Sequence, residues 1–263
     1  MTYLPSDHTF VICAFQESPY LEACICSLLR QHIPSQILIT TSTPNDYIFT
    51  LADTYSIPVF INQEETGIAA DWNFALSSAH TPLITLAHQD DIYEPEYVDT
   101  MLHCINRAES PLLFFSGYYE IKNNTRCNNA FLPKLKKVLC FPIWLFPHSI
   151  FARRCSLSFG NCICCPSVTY VGDVIKSDLF KPGLKSNLDW LKWEELSRHK
   201  GSFVYFPMPL MGHRIHEGSE TSHLLQGNLR TEEDYQVFLK FWPKPVAELL
   251  TKVYSNSEKS NRL

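Results

Sequence analysis

Two adjacent carboxylates, Asp90 and Asp91, close a short apolar run in the stretch Pro82-Leu-Ile-Thr-Leu-Ala-His-Gln-Asp-Asp-Ile-Tyr-Glu-Pro95. A carboxylate pair of this kind suits a hard divalent cation. Mg²⁺ and Mn²⁺ take oxygen ligands and are commonly held by one or two carboxylates together with substrate phosphates. The competing reading makes Asp90 and Asp91 ordinary loop residues that cap the next helix. What positions them favours chemistry: Leu83 to Ala87 has the length and content of a strand buried on both faces, and the tip of such a strand is where open α/β sheets bind ligands. Pro95 is expected to open the following helix as a first-turn residue.

The elements before this tip alternate. Thr9 to Phe15 reads as a strand, and Tyr20 to Gln31 as a helix with Leu21, Cys24, Ile25, Leu28 and Leu29 at helical spacing. Gln36 to Thr40 is a second strand, Tyr47 to Tyr55 a helix, Ile57 to Ile61 a third strand, and Gly67 to Ala79 a helix with Ile68, Trp72, Ala75 and Leu76 on one face. This rhythm predicts a mainly parallel sheet with helices on both faces and right-handed crossovers. A helix over Glu96 to Arg107 and a strand over Leu112 to Gly117 continue it. From about residue 120 to 185 the rhythm breaks, which predicts an irregular second lobe. Regular patterning returns with a helix over Leu188 to His199, a strand over Ser202 to Tyr205 and a polar stretch over His213 to Thr221. The tail Ser255 to Leu263 reads as disordered.

Composition narrows the function classes. The chain has 263 residues, 45% hydrophobic and 19% charged, and a net charge of −5. No global basic field favours nucleic acid, and the expectation is that none is bound. The N-terminal residues lack a basic region followed by a long apolar core, and no stretch approaches the ~20 apolar residues that span a bilayer, so a cytoplasmic protein is expected. Ten cysteines are scattered through apolar segments and read mostly as small buried hydrophobes. Cys162, Cys164 and Cys165 invite a zinc reading, but no second Cys-x-x-Cys motif accompanies them.

Nucleotide folds that cradle phosphate on a Gly-rich loop are excluded. None of the nine glycines falls in the first strand-to-helix turn, Ala14-Phe-Gln-Glu-Ser-Pro19. Phosphate charge must be met by another device, and a metal on Asp90 or Asp91 is available.

Phe10-Val-Ile-Cys-Ala-Phe-Gln-Glu with Tyr20-Leu-Glu-Ala-Cys-Ile-Cys-Ser-Leu-Leu-Arg-Gln, then Gly67-Ile-Ala-Ala-Asp-Trp-Asn-Phe-Ala-Leu, Leu86-Ala-His-Gln-Asp-Asp-Ile-Tyr-Glu-Pro, Leu188-Asp-Trp-Leu-Lys-Trp-Glu-Glu-Leu and Arg214-Ile-His-Glu-Gly-Ser-Glu-Thr occur in the order of a family pattern. In that order, from about residue 8 to 222, the chain resembles family 2 glycosyltransferases of the GT-A fold. The resemblance implies an α/β domain with a nucleotide-sugar-binding half over 1–118, an acceptor-side and catalytic half over 119–222, and a helical extension over 223–263. It implies transfer of a sugar from a nucleoside diphosphate, read as UDP, to an acceptor hydroxyl with inversion.

Residue roles follow from the same resemblance. Asp189 matches the general base; the structural alternative is a helix-capping Asp. Ala14, Phe15 and Glu17 after the first strand, Thr41 and Ser42 after the second, Asp71 and Trp72 on the third helix, His88 and Asp90 at the fourth strand's tip, and Arg214 would contact the donor. Asp90, Asp91 and His216 would hold Mn²⁺ or Mg²⁺. The sequence departs from the family at His88, which replaces the first Asp of the Asp-x-Asp pattern, and at Thr41 to Asp46, which replaces an acidic loop. Trp72 stands where many members carry Arg, and Leu188 replaces the Glu before the base. These departures motivate the alternative of a non-catalytic nucleotide-sugar or glycan-binding module. A nucleotidylyltransferase would need a Gly-rich basic opening loop that is absent.

The acceptor is expected to be a glycan or lipid-linked glycan of cell-surface polysaccharide or glycoconjugate synthesis. The Pro-broken apolar segment Val138 to Phe151, with Lys134, Lys136, Lys137, Arg153 and Arg154 around it, is expected to form a lobe core with solvated basic ends. Its alternative reading is peripheral docking at an anionic membrane surface.

Overall fold

The computed structural model describes residues 2–63, 67–127, 129–172, 180–181, 183–216 and 229–259. The expected closing-loop residues 217–221 lie outside the described residues. Strands β1 (His8–Ala14), β2 (Gln36–Thr41), β3 (Val59–Ile61) and β4 (Leu83–His88) alternate with helices α1 (Leu21–Leu29), α2 (Asp46–Tyr55) and α3 (Ile68–Ser78). They pair in parallel, with β1 between β2 and β4 and with β3 outside β2. β1 and β4 bury both faces, whereas the edge strand β3 leaves Phe60 exposed. Along β1, Val11 joins a core under α3, while its neighbours Phe10 and Ile12 join a second core under α1 and α2.

The chain continues through β5 (Ile92–Tyr93), α4 (Tyr97–Arg107), β6 (Pro111–Lys122) and β7 (Thr125–Cys127). Helix α4 starts at Tyr97 with Glu96 as its N-cap, so Pro95 stands outside the helix and not in its first turn. After α5 (Phe131–Leu139), α6 (Phe141–Leu145) and α7 (Ile150–Leu157) comes the short strand β8 (Val168–Val171), then α8 (Leu188–Leu196) and β9 (Ser202–Ile215). The order β3-β2-β1-β4-β8-β6-β9-β5, with β7 on β6, makes one nine-stranded sheet. Only β5, β7 and β8 run against the rest, so the sheet is mostly parallel. Helices α9 (Leu229–Phe238) and α10 (Lys244–Lys259) pack on the α8 side, with Phe238 edge-on to Trp190 at 4.9 Å.

Three expectations are corrected. The segment Val138 to Phe151 is not a lobe core: Pro142 and Pro147 break it into short helices that bury Ile143 but leave Val138, Phe141, Trp144, Leu145, Phe146 and Phe151 exposed. Arg153 and Arg154 are not solvated ends. Arg153 is fully buried and donates to the carbonyls of His199 and Gly201, and Arg154 pairs with Glu194 at 2.6 Å. The tail is not disordered from Ser255, because α10 carries the chain in helix to Lys259. No described helix is long and apolar enough to cross a membrane.

Candidate active site

Strand β4 ends at His88, the chain turns through Gln89 and Asp90, and Asp91 leads into β5, which pairs antiparallel with the far end of β9. That pairing brings residues 213–216 against the two aspartates. Asp91 is fully buried; its Oδ1 accepts the Arg214 backbone N–H at 2.9 Å and lies 3.1 Å from His213 Nδ1. Asp90 is more open, and its Oδ2 lies 3.0 Å from His216 Nε2. Burial works to raise the Asp90 carboxyl, but the hydrogen bond to His216 and the nearby His88 and His213 outweigh it and hold the group below the usual carboxylate range. For His213, burial alone would lower the pKa, and the buried Asp91 carboxylate reverses that and raises it.

His88 completes the cluster. Its ring stacks on Trp72, with centroids 5.4 Å apart and planes 25° apart, and its buried Nε2 has no hydrogen-bond partner. One ligand atom each from His88, Asp90 and Asp91 lies within 4.8 Å of the others. An orphaned imidazole nitrogen beside two carboxylates is a donor set that fits a divalent cation. Among the described residues no cysteine cluster forms a comparable group, so the zinc reading of Cys162, Cys164 and Cys165 has no geometric support.

The other strand tips meet the same edge. Gln89 exchanges two hydrogen bonds with the backbone of Phe15, tying the loop after β1 to the acidic turn. Gln16, left-handed at φ 54°, donates its N–H to Thr43 Oγ1 at 2.6 Å. Asp71, near the start of α3, takes Ser42 Oγ–H on one oxygen and Asn62 Nδ2–H on the other, both at 3.0 Å. Ala14, Phe15, Thr41, Ser42, Asp71, Trp72, His88 and Asp90 therefore line one continuous edge. Glu17 is exposed in the loop after β1. Arg214 is spent on the protein: Nε donates to the Asp90 carbonyl at 2.9 Å, Nη1 to Asn124 Oδ1 at 2.6 Å, and the guanidinium lies 4.3 Å over the Tyr20 ring. Its visible work is to hold the acidic turn.

Asp189 lies in the first turn of α8. The neighbouring Trp190 and Trp193 are fully buried and fix the helix. Asp189 Oδ2 accepts from Asn161 Nδ2 at 2.8 Å and Oδ1 accepts the Trp190 backbone N–H at 2.7 Å. Burial dominates these contacts and pushes its carboxyl above the ordinary range. Lys136, whose ammonium stands 5.4 Å over the Tyr118 ring, acts electrostatically on both Asp189 and His213, lowering the pKa of each.

Several participants were not found from sequence. Asn62 follows a strand tip and could have been found by the rule that located Asp90. His213 adjoins a residue already singled out. Asn161 and Glu233 carried no signal, because their partners lie far along the chain: Glu233 on α9 accepts the backbone N–H groups of Lys185, Ser186 and Asn187, just before α8.

Comparisons with known proteins bear on the family and the fold. A family model described as Glycosyl transferase family 2 matches residues 9–167. No curated protein matches the sequence. Among solved structures, S. aureus TarS 1–349 in complex with UDP-GlcNAc is similar over 97% of this chain and 73% of that chain, at 14% identity and a TM-score of 0.66. The mannosyltransferase PcManGT from Pyrobaculum calidifontis, in complex with GDP-Man and Mn²⁺, is similar over 96% of this chain and 72% of that chain, at 11% identity and a TM-score of 0.66. Glucosyl-3-phosphoglycerate synthase from Mycobacterium tuberculosis, in complex with phosphoglyceric acid, is similar over 89% and 79%, at 13% identity and a TM-score of 0.60. At these identities the likeness shows the fold, which is GT-A.

Proposed function

Since the chain belongs to glycosyl transferase family 2, we propose that it moves a sugar from a nucleoside-diphosphate donor to an acceptor hydroxyl with inversion at the anomeric carbon. The observation that carries this reading is a pair of carboxylates tuned in opposite directions. Asp90 is held ionised at the tip of β4, and Asp189 in the first turn of α8 is pushed up by burial. Two carboxylates driven apart in this way suit two different jobs.

Asp90, with Asp91, His88 and His216 beside it, would hold Mn²⁺ or Mg²⁺. When bound, such an ion supplies neutralisation of the charge that builds on a departing diphosphate. The nucleoside end of the donor lies along Phe15, Ser42, Asp71 and Trp72, where hydroxyl, carboxylate and ring faces can fix base and ribose. Asp189 takes the acceptor proton as the acceptor oxygen bonds to the anomeric carbon and the bond to the diphosphate oxygen breaks on the opposite face. A raised pKa makes Asp189 a better proton acceptor than an exposed carboxylate, and general-base assistance contributes ~10²–10⁴-fold. Asn161 and the Trp190 N–H orient it.

The acceptor is read as a glycan or lipid-linked glycan in cell-surface polysaccharide or glycoconjugate synthesis on the cytoplasmic side, and the donor as a UDP sugar. A thermal-shift screen of UDP, GDP and ADP with and without Mn²⁺ tests the donor reading, because a ligand at about 100 times its Kd stabilises the native state by ~2.7 kcal/mol. At least one nucleotide should raise Tm only when Mn²⁺ is present, and the matching sugar nucleotide should be slowly hydrolysed. A flat response across all nucleotides sinks the proposal.

A further inference from the structure

We infer that the face formed by α5, α6 and the start of α7 is a docking surface for an anionic lipid bilayer. Helix α5 buries none of its residues. Phe131, Leu135 and Val138 fall on one stripe at i, i+4 and i+7, and Phe131 and Val138 are 61% and 69% exposed. Beyond the break at Pro142, Trp144 is 51% exposed, and Phe151 at the start of α7 is 82% exposed. Between α6 and α7 lies an apolar depression of about 500 Å³, lined by Phe141, Leu145, Phe146 and Phe151 among others. Exposed large apolar side chains gathered on neighbouring short helices mark an interaction site.

Charge selects the occupant. From residue 121 to 172 the sequence contains no Asp or Glu, although the whole chain carries −5. Lys134 and Lys137 are exposed beside the α5 stripe, and no carboxylate in this stretch neutralises them. Large aromatic and aliphatic side chains set among lysines, with a tryptophan whose ring is half exposed, match the headgroup region of an anionic membrane, where apolar groups enter the acyl boundary and each nearby lysine gains attraction to the surface. Short helices broken at Pro142 and Pro147 suit shallow insertion, and none of them is long enough to span. Lys136, on the same helix, is turned over the Tyr118 ring of β6 and away from the exposed lysines.

Flotation of the full-length chain with phosphatidylcholine–phosphatidylglycerol vesicles, against pure phosphatidylcholine vesicles, decides the point without any sugar nucleotide. The wild type should float with the anionic vesicles at low salt, stay behind with the neutral ones, and release as salt rises. Lys134→Gln and Lys137→Gln should each weaken partitioning by roughly fivefold. The double variant Val138→Glu, Phe151→Glu should lose flotation while its Tm and nucleotide response match wild type, since both side chains are largely solvent-facing. Absence of wild-type flotation at low salt, or equal flotation of the double variant, overturns the assignment. So does a sedimentation result in which the wild type is a dimer that this variant dissociates, because a second copy would then own the face.

Discussion

Asn161 Nδ2 donates to Asp189 Oδ2 at 2.8 Å, joining the loop after α7 to the first turn of α8. The bond favours the ionised carboxylate, against a burial that favours the protonated one, so Asn161 tunes the group proposed as the base.

Asp189→Asn should bind donor normally and turn over ~10²–10⁴-fold more slowly, a barrier increase of about 3–5 kcal/mol. Only the ionised form accepts a proton, so kcat should fall as pH drops through the raised pKa of Asp189, at higher pH than an exposed aspartate would show. Asn161→Ala removes a contact that lowers this pKa and should move the acid limb further up. A pH–rate profile of the two variants and wild type reads this directly; an unmoved limb in Asn161→Ala would take the base role away from Asp189.

The two aspartates at the β4 tip should separate by phenotype. Asp90→Ala removes the more open carboxylate and is expected to abolish Mn²⁺-dependent nucleotide binding with little change in Tm. Asp91→Ala strips a fully buried acceptor from the Arg214 N–H and from His213. Leaving such donors unpaired costs ~1–3 kcal/mol each, so this variant should lose stability as well as binding. Calorimetry with and without Mn²⁺, beside urea melts, distinguishes them; equal Mn²⁺ dependence in Asp90→Ala and wild type refutes the metal assignment.

The parts of this site that were legible in the sequence are those whose signal is local. β1 to β4 are continuous apolar runs divided by amphipathic helices, so their order and the position of Asp90 at a strand tip could be read directly. β8 could not, because Val168–Val171 is four residues long and takes its place between β4 and β6 by antiparallel pairing with strands distant in sequence. Val138 to Phe151 misled for another reason: apolar content records what a segment would bury, not whether the rest of the chain covers it. Asn161 and Glu233 are ordinary polar residues until tertiary structure brings their partners.

His8 gives the protein a built-in acid sensitivity. It is fully buried in β1, with Nδ1 and Nε2 each 2.8 Å from the hydroxyls of Ser35 and Thr85, and burial lowers its pKa to about 3. Below the unfolded value of about 6.5 the unfolded chain takes up a proton that the native state refuses, so stability falls on acidification by up to ~1.4 kcal/mol per pH unit until about pH 3. Urea unfolding should therefore show about 2 kcal/mol less stability near pH 5 than at neutrality from this group alone. His8→Gln should flatten that part of the pH dependence, whatever it does to stability at pH 7; an unchanged slope would mean that the native state protonates His8 without cost.

Glu233 is expected to act on catalysis only through the loop that leads into α8. Its Oε1 accepts the Lys185 N–H at 2.7 Å, and its Oε2 accepts those of Ser186 and Asn187 at 2.8 and 3.1 Å. The neighbouring Asp234 Oδ1 accepts from Asn187 Nδ2 at 2.7 Å, so α9 grips the loop at consecutive residues immediately before α8. Gln at position 233 keeps the size but turns one oxygen into an NH₂ that cannot accept, and whichever way the amide is turned at least one backbone N–H loses its partner. Loss of charge-assisted bonds of this kind costs ~1.5–3 kcal/mol, so Glu233→Gln should lower Tm measurably and loosen the register of α8. Since Glu233 touches neither the β4 tip nor the loops after β1 and β2, nucleotide affinity should stay at the wild-type value while kcat falls. If nucleotide affinity falls in step with kcat, Glu233 supports the whole domain and not the placement of Asp189.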